Sequence, residues 1–196
     1  MEPWRAMPKI INSTFITIDG VVGAPDSWPS LDRPGDDRAG RMHVDLLLSC
    51  DALLMGRRTY EGFAAAWPTR SGDPFSDGIN AIPKYVVSST LTDPAWNNTQ
   101  VIDGDVVGRI RQLKDESGKD IVQYGFGPVS RLLLEHGLLD ELRLWVHPLI
   151  VGRGGPGDLL FGEAPAIGFD LTDTTTLNDG TVILNYRTDG LLAAAA

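Results

Sequence analysis

The feature that most limits what this chain can fold into is a rhythm. Short apolar runs rich in β-branched residues alternate with stretches of helical periodicity as far as residue 150. Two alternating runs that meet at Asp179-Gly180 then follow. Strand–helix alternation commits a chain to a largely parallel sheet covered by helices on both faces. An Asp-Gly pair between alternating runs is the strongest short hairpin signal, so an antiparallel pair belongs at the C-terminal end of that sheet. The expected class is α/β, in three layers.

Residues 9–18 (KIINSTFITI) read as the first strand, turned by Asp19-Gly20. Residues 21–35 gather Pro25, Pro29, Pro34 and two glycines around Trp28, a long surface loop of the kind that usually carries function in a compact domain. From Asp36 the period becomes helical, with Met42, Leu46, Leu47 and Cys50 on one face and Asp36 or Asp37 as N-cap. A strand at 52–55, a helix over about 57–66 and a Pro/Gly-rich loop to Pro83 come next. Further strands are expected at 84–88, 99–102, 120–124 and 141–150. Helices are expected at 105–116 and from Pro128, which has no N–H to leave unpaired, to a glycine stop at Gly137. No repeat or linker interrupts the pattern, so one domain is expected over 9–188, between short tails at 1–8 and 189–196.

The net charge of −9 argues against a general affinity for nucleic acid or an anionic membrane. A phosphate-bearing ligand must therefore be held by a few local groups. Cys50 is the only cysteine and has no partner for an internal disulfide. No apolar run reaches the roughly 20 residues of a membrane span, and MEPWRAMP lacks the apolar core of a signal peptide. A cytoplasmic location is the expectation. His43, His136 and His147 match no metal spacing, so no metal is expected.

Three strand ends carry residues suited to one ligand, because ligands of open α/β sheets sit beyond the carboxyl ends of the strands. At Gly56-Arg57-Arg58-Thr59 a helix start offers unpaired N–H groups, two cations and a hydroxyl. Ser88-Ser89-Thr90 closes the strand KYVVS with three hydroxyls. Gly125-Phe126-Gly127 precedes the helix at Pro128, and its glycines suit close approach of backbone to a pyrophosphate. Singly, each is more often an ordinary turn, and the full six-residue dinucleotide fingerprint is absent. Together they match the spread of a dinucleotide.

The segments FITIDG (15–20), LLMGRRTYEGF (53–63), PKYVVSSTL (83–91), DIVQYGFG (120–127), LLLEHGLLDELRLWVHPLIVGRG (132–154) and LLFG (159–162) follow one another over nearly the whole chain. In that order they resemble the dihydrofolate reductase superfamily, in the branch of the bacterial riboflavin-biosynthesis reductase domain. The resemblance implies a dihydrofolate-reductase-like fold and an NADPH-dependent reductase of a small pteridine- or pyrimidine-like substrate. It places Gly56, Arg57, Arg58 and Thr59 at the cofactor phosphates and Ser88, Ser89 and Thr90 at the adenosine 2′-phosphate. Gly125, Phe126, Gly127, Val129 and Ser130 would lie along the pyrophosphate and nicotinamide. Val22, Gly23 and Ala24 would sit beside the nicotinamide, with Asp19, Trp28 and His43 as substrate-side candidates.

Two departures stand out. Many relatives carry arginine where this chain has Ser89, so NADH stays an alternative to NADPH. True dihydrofolate reductases hold the pterin with a carboxylate early in the helix that here begins at Asp36, where both aspartates read as caps. A non-catalytic nucleotide-binding or regulatory protein on the same fold is the alternative function. The apolar strand LRLWVHPLIV, with Trp145 on a face that looks exposed, fits either a homodimer contact or ordinary sheet core.

Overall fold

The computed structural model describes residues 7–160 and 166–191. Its strands are β1 (Ile10–Thr17), β2 (Cys50–Gly56), β3 (Lys84–Val87), β4 (Thr99–Ile102), β5 (Asp120–Tyr124), β6 (Glu141–His147), β7 (Ile167–Thr176) and β8 (Val182–Leu191). The helices are α1 (Asp37–Ser49), α2 (Arg57–Ala66), α3 (Pro74–Ala81), α4 (Val106–Glu116) and α5 (Pro128–Glu135). One sheet runs β4-β3-β2-β5-β1-β6-β8-β7. Its first six strands are parallel, while β8 runs antiparallel to both β6 and β7.

Strand side chains alternate between faces, and that alternation builds two separate cores. Ile10, Ala52, Leu54 and Ile121 pack against Ile110 and Leu113 of α4 and Val129 and Leu133 of α5. Their neighbours Ile11, Leu53, Met55 and Val122 pack the other way, against Leu46 and Leu47 of α1, Tyr60 of α2 and Ile79 of α3. The α/β sandwich with a C-terminal hairpin is the architecture the sequence rhythm implies. No helix among the described residues is long and apolar enough to cross a membrane.

Several boundaries differ from the sequence reading. Cys50 opens β2 and does not close α1. The expected loop before Pro83 contains α3, whose N-cap Asp73 accepts from the N–H groups of Phe75 (3.1 Å) and Ser76 (3.0 Å). Its far end is held from outside the helix. The fully buried Lys84 ammonium donates to the carbonyls of Asn80 (3.1 Å), Ile82 (2.9 Å) and Asn97 (3.2 Å) and lies 4.4 Å from the Trp96 ring centre. Burial lowers the pKa of that lysine to about 8. Strand β8 continues to Leu191 and pairs there with Ile167, so residues 189–191, read as tail, are strand. Residues 1–6 and 192–196 of the expected tails, and Phe161 and Gly162 of the LLFG match, lie outside the described residues.

Candidate cofactor and substrate cleft

The six parallel strands end on one edge of the sheet, and a cleft of about 1760 Å³ opens there. That exceeds the roughly 300–1,000 Å³ of an ordinary small-molecule pocket. Its wall includes Val22, Gly23, Ala24, His43, Gly56, Arg57, Arg58, Thr59, Ser88, Ser89, Gly125, Phe126, Gly127, Val129 and Ser130. All three strand-end turns therefore meet in one place.

How the helices begin separates this region from the rest. The starts of α1, α3 and α4 are closed by the carboxylates of Asp36, Asp73 and Asp105, each accepting backbone N–H bonds. The starts of α2 and α5 have Gly56 and Gly127 as N-caps, with no side-chain oxygen in that role. Their first N–H groups and the positive ends of their dipoles lie at the cleft without a capping carboxylate. The two starts also touch. A Cβ on Gly56 would come 3.3 Å from Val129 Cγ2, and one on Gly125, at φ +75°, 3.3 Å from Thr59 Oγ1. A Cβ on Gly127 would meet nothing within 4 Å, so the space beside that glycine is open to a ligand.

Charge and hydroxyls gather at the start of α2. Arg57 donates through Nε to Glu61 Oε1 (2.7 Å) and through Nη1 to Thr90 Oγ1, which draws its guanidinium to the Ser88–Thr90 turn. Ser88 Oγ accepts from the N–H groups of Thr90 (3.2 Å) and Leu91 (3.0 Å) and so shapes that turn. Thr90 is not part of the cleft wall and enters only through Arg57. The Arg58 side chain is 80% exposed, with Asp158 3.5 Å away.

Beneath the Gly125–Gly127 turn lies a buried polar network that local sequence patterns did not signal. Asn12 Nδ2 donates to Gln123 Oε1 (2.9 Å) and to the Gly125 carbonyl (2.7 Å). Thr14 Oγ1 donates to Asn12 Oδ1 (2.8 Å), and Ser130 Oγ donates to Gln123 Oε1 (3.1 Å) while accepting from Gly127 N–H (3.3 Å). Satisfied buried networks of this kind fix a unique geometry. The available clue was the polar run Asn12-Ser13-Thr14 inside a strand that pairs on both sides.

The other half of the cleft is aromatic: Phe15, His43, Phe63, Trp67, Phe75 and Tyr124 line it. His43 stacks on Trp145 with ring centres 4.1 Å apart and 12° between planes. Burial, aided by nearby Arg143 and then His147, lowers its pKa to about 4, so the ring is neutral near pH 7. The Tyr124 hydroxyl is buried with no hydrogen-bond partner among the described residues, and burial raises its pKa. Trp145 is 2% exposed and lies in the core with Leu177 and Ile183, which corrects the reading of an exposed tryptophan and removes that support for a dimer.

Asp19 and Trp28 are not on the wall. Asp19 accepts from Thr17 Oγ1 (2.5 Å) and the N–H groups of Gly152 (2.9 Å) and Val151 (3.4 Å), tying two loops together. Trp28 donates Nε1–H to the Gly23 carbonyl (3.0 Å) and meets the His147 ring edge-on at 5.5 Å. Both shape the loop that brings Val22, Gly23 and Ala24 to the cleft.

Residues 8–183 match the RibD C-terminal domain family. The chain belongs to that family. It is 26% identical over 190 residues to the protein YyaP of Bacillus subtilis (strain 168), covering 93% of this chain and 96% of that one. Among solved structures, a putative riboflavin biosynthesis protein from Shewanella sp. PV-4 superposes with a TM-score of 0.73 at 21% identity, covering 93% of this chain and 99% of the other. The deaminase/5-amino-6-(5-phosphoribosylamino)uracil reductase of Thermotoga maritima gives a TM-score of 0.63 at 16% identity, with 93% of this chain on 57% of that one. A pyrimidine reductase-like protein from Corynebacterium diphtheriae gives 0.60 at 15% identity, with 92% of each chain covered. At such identities these structures speak for the fold, a RibD-type reductase sandwich.

Proposed function

We propose that this protein is an NADPH-dependent reductase that transfers a hydride to a small planar heterocycle of pteridine or pyrimidine type. The observation that carries the reading is the pair of glycine-started helices, α2 and α5, opening beside Arg57 and Arg58 into one cleft with an aromatic far half. When bound, a dihydronicotinamide supplies the hydride; the chain's residues bind, orient and exclude water. The N-termini of α2 and α5 and Arg58 would hold the pyrophosphate, with Gly127 leaving room for it. Val22, Gly23 and Ala24 would cover the nicotinamide side, and Phe15, Phe75 and neutral His43 would face the substrate ring. The likeness to the uracil reductase of Thermotoga and the pyrimidine reductase-like protein of Corynebacterium supports the substrate class.

Preference for NADPH is supported by Arg57, whose bond to Thr90 brings a cation to the turn where position 89 itself has only a serine. Asp103 also lines the cleft, beyond β4, and a carboxylate there favours ribose hydroxyls and hence NADH. Arg57→Gln decides between them: the NADPH/NADH affinity ratio falls about tenfold if Arg57 meets the 2′-phosphate. It stays constant if that group lies elsewhere.

Titration with NADPH, followed by tryptophan fluorescence, tests the reading, and no binding at millimolar cofactor removes it. Loss of NADPH absorbance with a panel of pteridine and pyrimidine acceptors then separates a reductase from a non-catalytic nucleotide-binding or regulatory protein. The latter reading draws on one observation: α1 contributes Gly40, His43 and Val44 to the wall but no carboxylate.

A further inference from the structure

The segment after β6 reaches the cleft at a point that joins its two functions. The Asp158 carbonyl accepts from the N–H groups of Val22 (2.7 Å) and Gly23 (3.1 Å), the residues beside the expected nicotinamide position. Val21 and Leu159 form an antiparallel bridge, Leu160 N–H donates to the Gly20 carbonyl (2.9 Å), and Arg131 of α5 donates to the Leu159 carbonyl (2.9 Å). The Asp158–Leu160 strap is thus joined to residues 20–23 by backbone bonds, among the described residues. That leaves the Asp158 side chain for other work. Its Oδ2 accepts from Gly155 N–H (3.1 Å), while Oδ1 lies 3.5 Å from Arg58 Nη2, at the start of the helix expected to receive phosphate. Space around it is closed on the loop side, since a Cβ on Gly23 would come 2.5 Å from Oδ1.

We infer that Asp158 is a positioning residue that holds Arg58 against the nicotinamide-side strap until a cofactor phosphate displaces its carboxylate. The inference rests on the cofactor reading above. Its physical basis is competition for one guanidinium. Arg58 has Asp158 as its anion; a phosphate at the α2 N-terminus would offer the same guanidinium a bidentate partner with more charge and helix N–H groups beside it. The carboxylate keeps an exposed, flexible arginine close to the site at the cost of some affinity. An exposed pair of this geometry holds its cation only weakly, so exchange is easy.

The test uses the full chain with Asp158→Asn, which keeps an acceptor for Gly155 N–H and leaves the backbone strap intact. NADPH affinity by tryptophan fluorescence should tighten about three- to fivefold at low salt, the range expected from releasing an exposed pair. The tightening should vanish in an Arg58→Gln background and shrink as KCl is raised toward 0.5 M. Asp158→Glu, which restores the charge, should return the affinity to the wild-type value and so exclude a folding effect. An unchanged or weaker affinity in Asp158→Asn overturns the inference while leaving the cofactor reading in place. Equal tightening with Arg58 absent also overturns it, because general repulsion between carboxylate and phosphate then suffices. Failure of the wild-type chain to bind NADPH removes the cofactor reading, and the inference with it.

Discussion

The two edges of the sheet handle charge in opposite ways. At the edge where the parallel strands begin, carboxylates are committed to the fold. Asp51 accepts from the N–H groups of Gly118 (2.8 Å) and Lys119 (2.9 Å), and Asp120 accepts from Lys9 N–H (2.9 Å). Asp140 accepts from Ile10 N–H (2.7 Å) and the Lys114 ammonium (2.6 Å), and Glu141 accepts from Lys9 Nζ (2.6 Å). At the opposite edge α2 and α5 start without acidic caps, and Arg57 and Arg58 reach out on exposed side chains. Buried, mutually satisfied charges stabilise the fold, whereas the exposed pairs of Arg57 with Glu61 and Arg58 with Asp158 contribute little to it and can be exchanged. The difference teaches that an acidic chain can still gather cations and uncapped helix starts at one edge, with only solvent-exposed carboxylates such as Glu61 beside them.

The comparison breaks most visibly with Asp140→Ala. Lys114, only 7% exposed, would lose its carboxylate, and Ile10 N–H its acceptor. The expected cost is about 3 kcal/mol, at the low end for breaking a buried pair because Asp140 is partly solvated. Thermal unfolding should move down by roughly 6–12 °C, with NADPH affinity unchanged. If affinity fell in step with stability, the two edges would not be independent.

Acid should instead strike the cleft side. Because burial puts the folded-state pKa of His43 at about 4, below the ordinary 6.5, the unfolded chain takes up this proton first as pH falls. Stability linked to His43 is therefore fully present above pH 6.5 and declines as pH drops toward 4, by roughly 1–2 kcal/mol after allowing for the solvent that still reaches the ring. Urea midpoints at stepped pH should fall less steeply in His43→Phe. Some slope should persist, since burial also lowers His147. Identical slopes in the two proteins would show that His43 stays hydrated.

Arg58→Ala addresses the cleft edge directly. NADPH should bind roughly tenfold more weakly, about 1.4 kcal/mol, with the unfolding midpoint within about 1 °C of wild type. Arg111→Ala, on the exposed side of α4, should change neither.

What could be read in the sequence was what short-range chemistry determines. The limits of α2 and β5 follow from Gly56, the β-branched strand residues and the Gly125 turn, and the structure has them at the expected residues. Helix α3 was hidden because its body carries Gly78 and Asn80, poor helix formers. Gly78 is there for packing: a Cβ would come 3.0 Å from Leu48 Cδ2 and 3.3 Å from Leu47 Cδ2 of α1. The bond from Asn12 to Gln123 joins residues 111 positions apart and has no local signature. For Trp145 the sequence leaves dimer surface and sheet core open, because alternation says which residues share a face but not which face a helix covers; α1 covers this one, through Ala39 and Met42.

The smallest expected effect tests the finest point of the cleft assignment. Ser89 is exposed on the cleft wall at the turn shaped by Ser88, beside the Arg57–Thr90 contact. Ser89→Arg would add a second guanidinium where Arg57 already reaches. If the 2′-phosphate is received there, NADPH should bind about two- to threefold tighter while NADH is unaffected, a modest gain because the new side chain is solvated and lies near an existing cation. Stability should not move, since nothing at the opposite edge is touched. An equal gain for NADH would place the added charge near the pyrophosphate, shifting the adenosine end of the cleft away from β3. A loss for both would mean that Ser89 packs against the adenine, and Arg57 alone would then carry the discrimination.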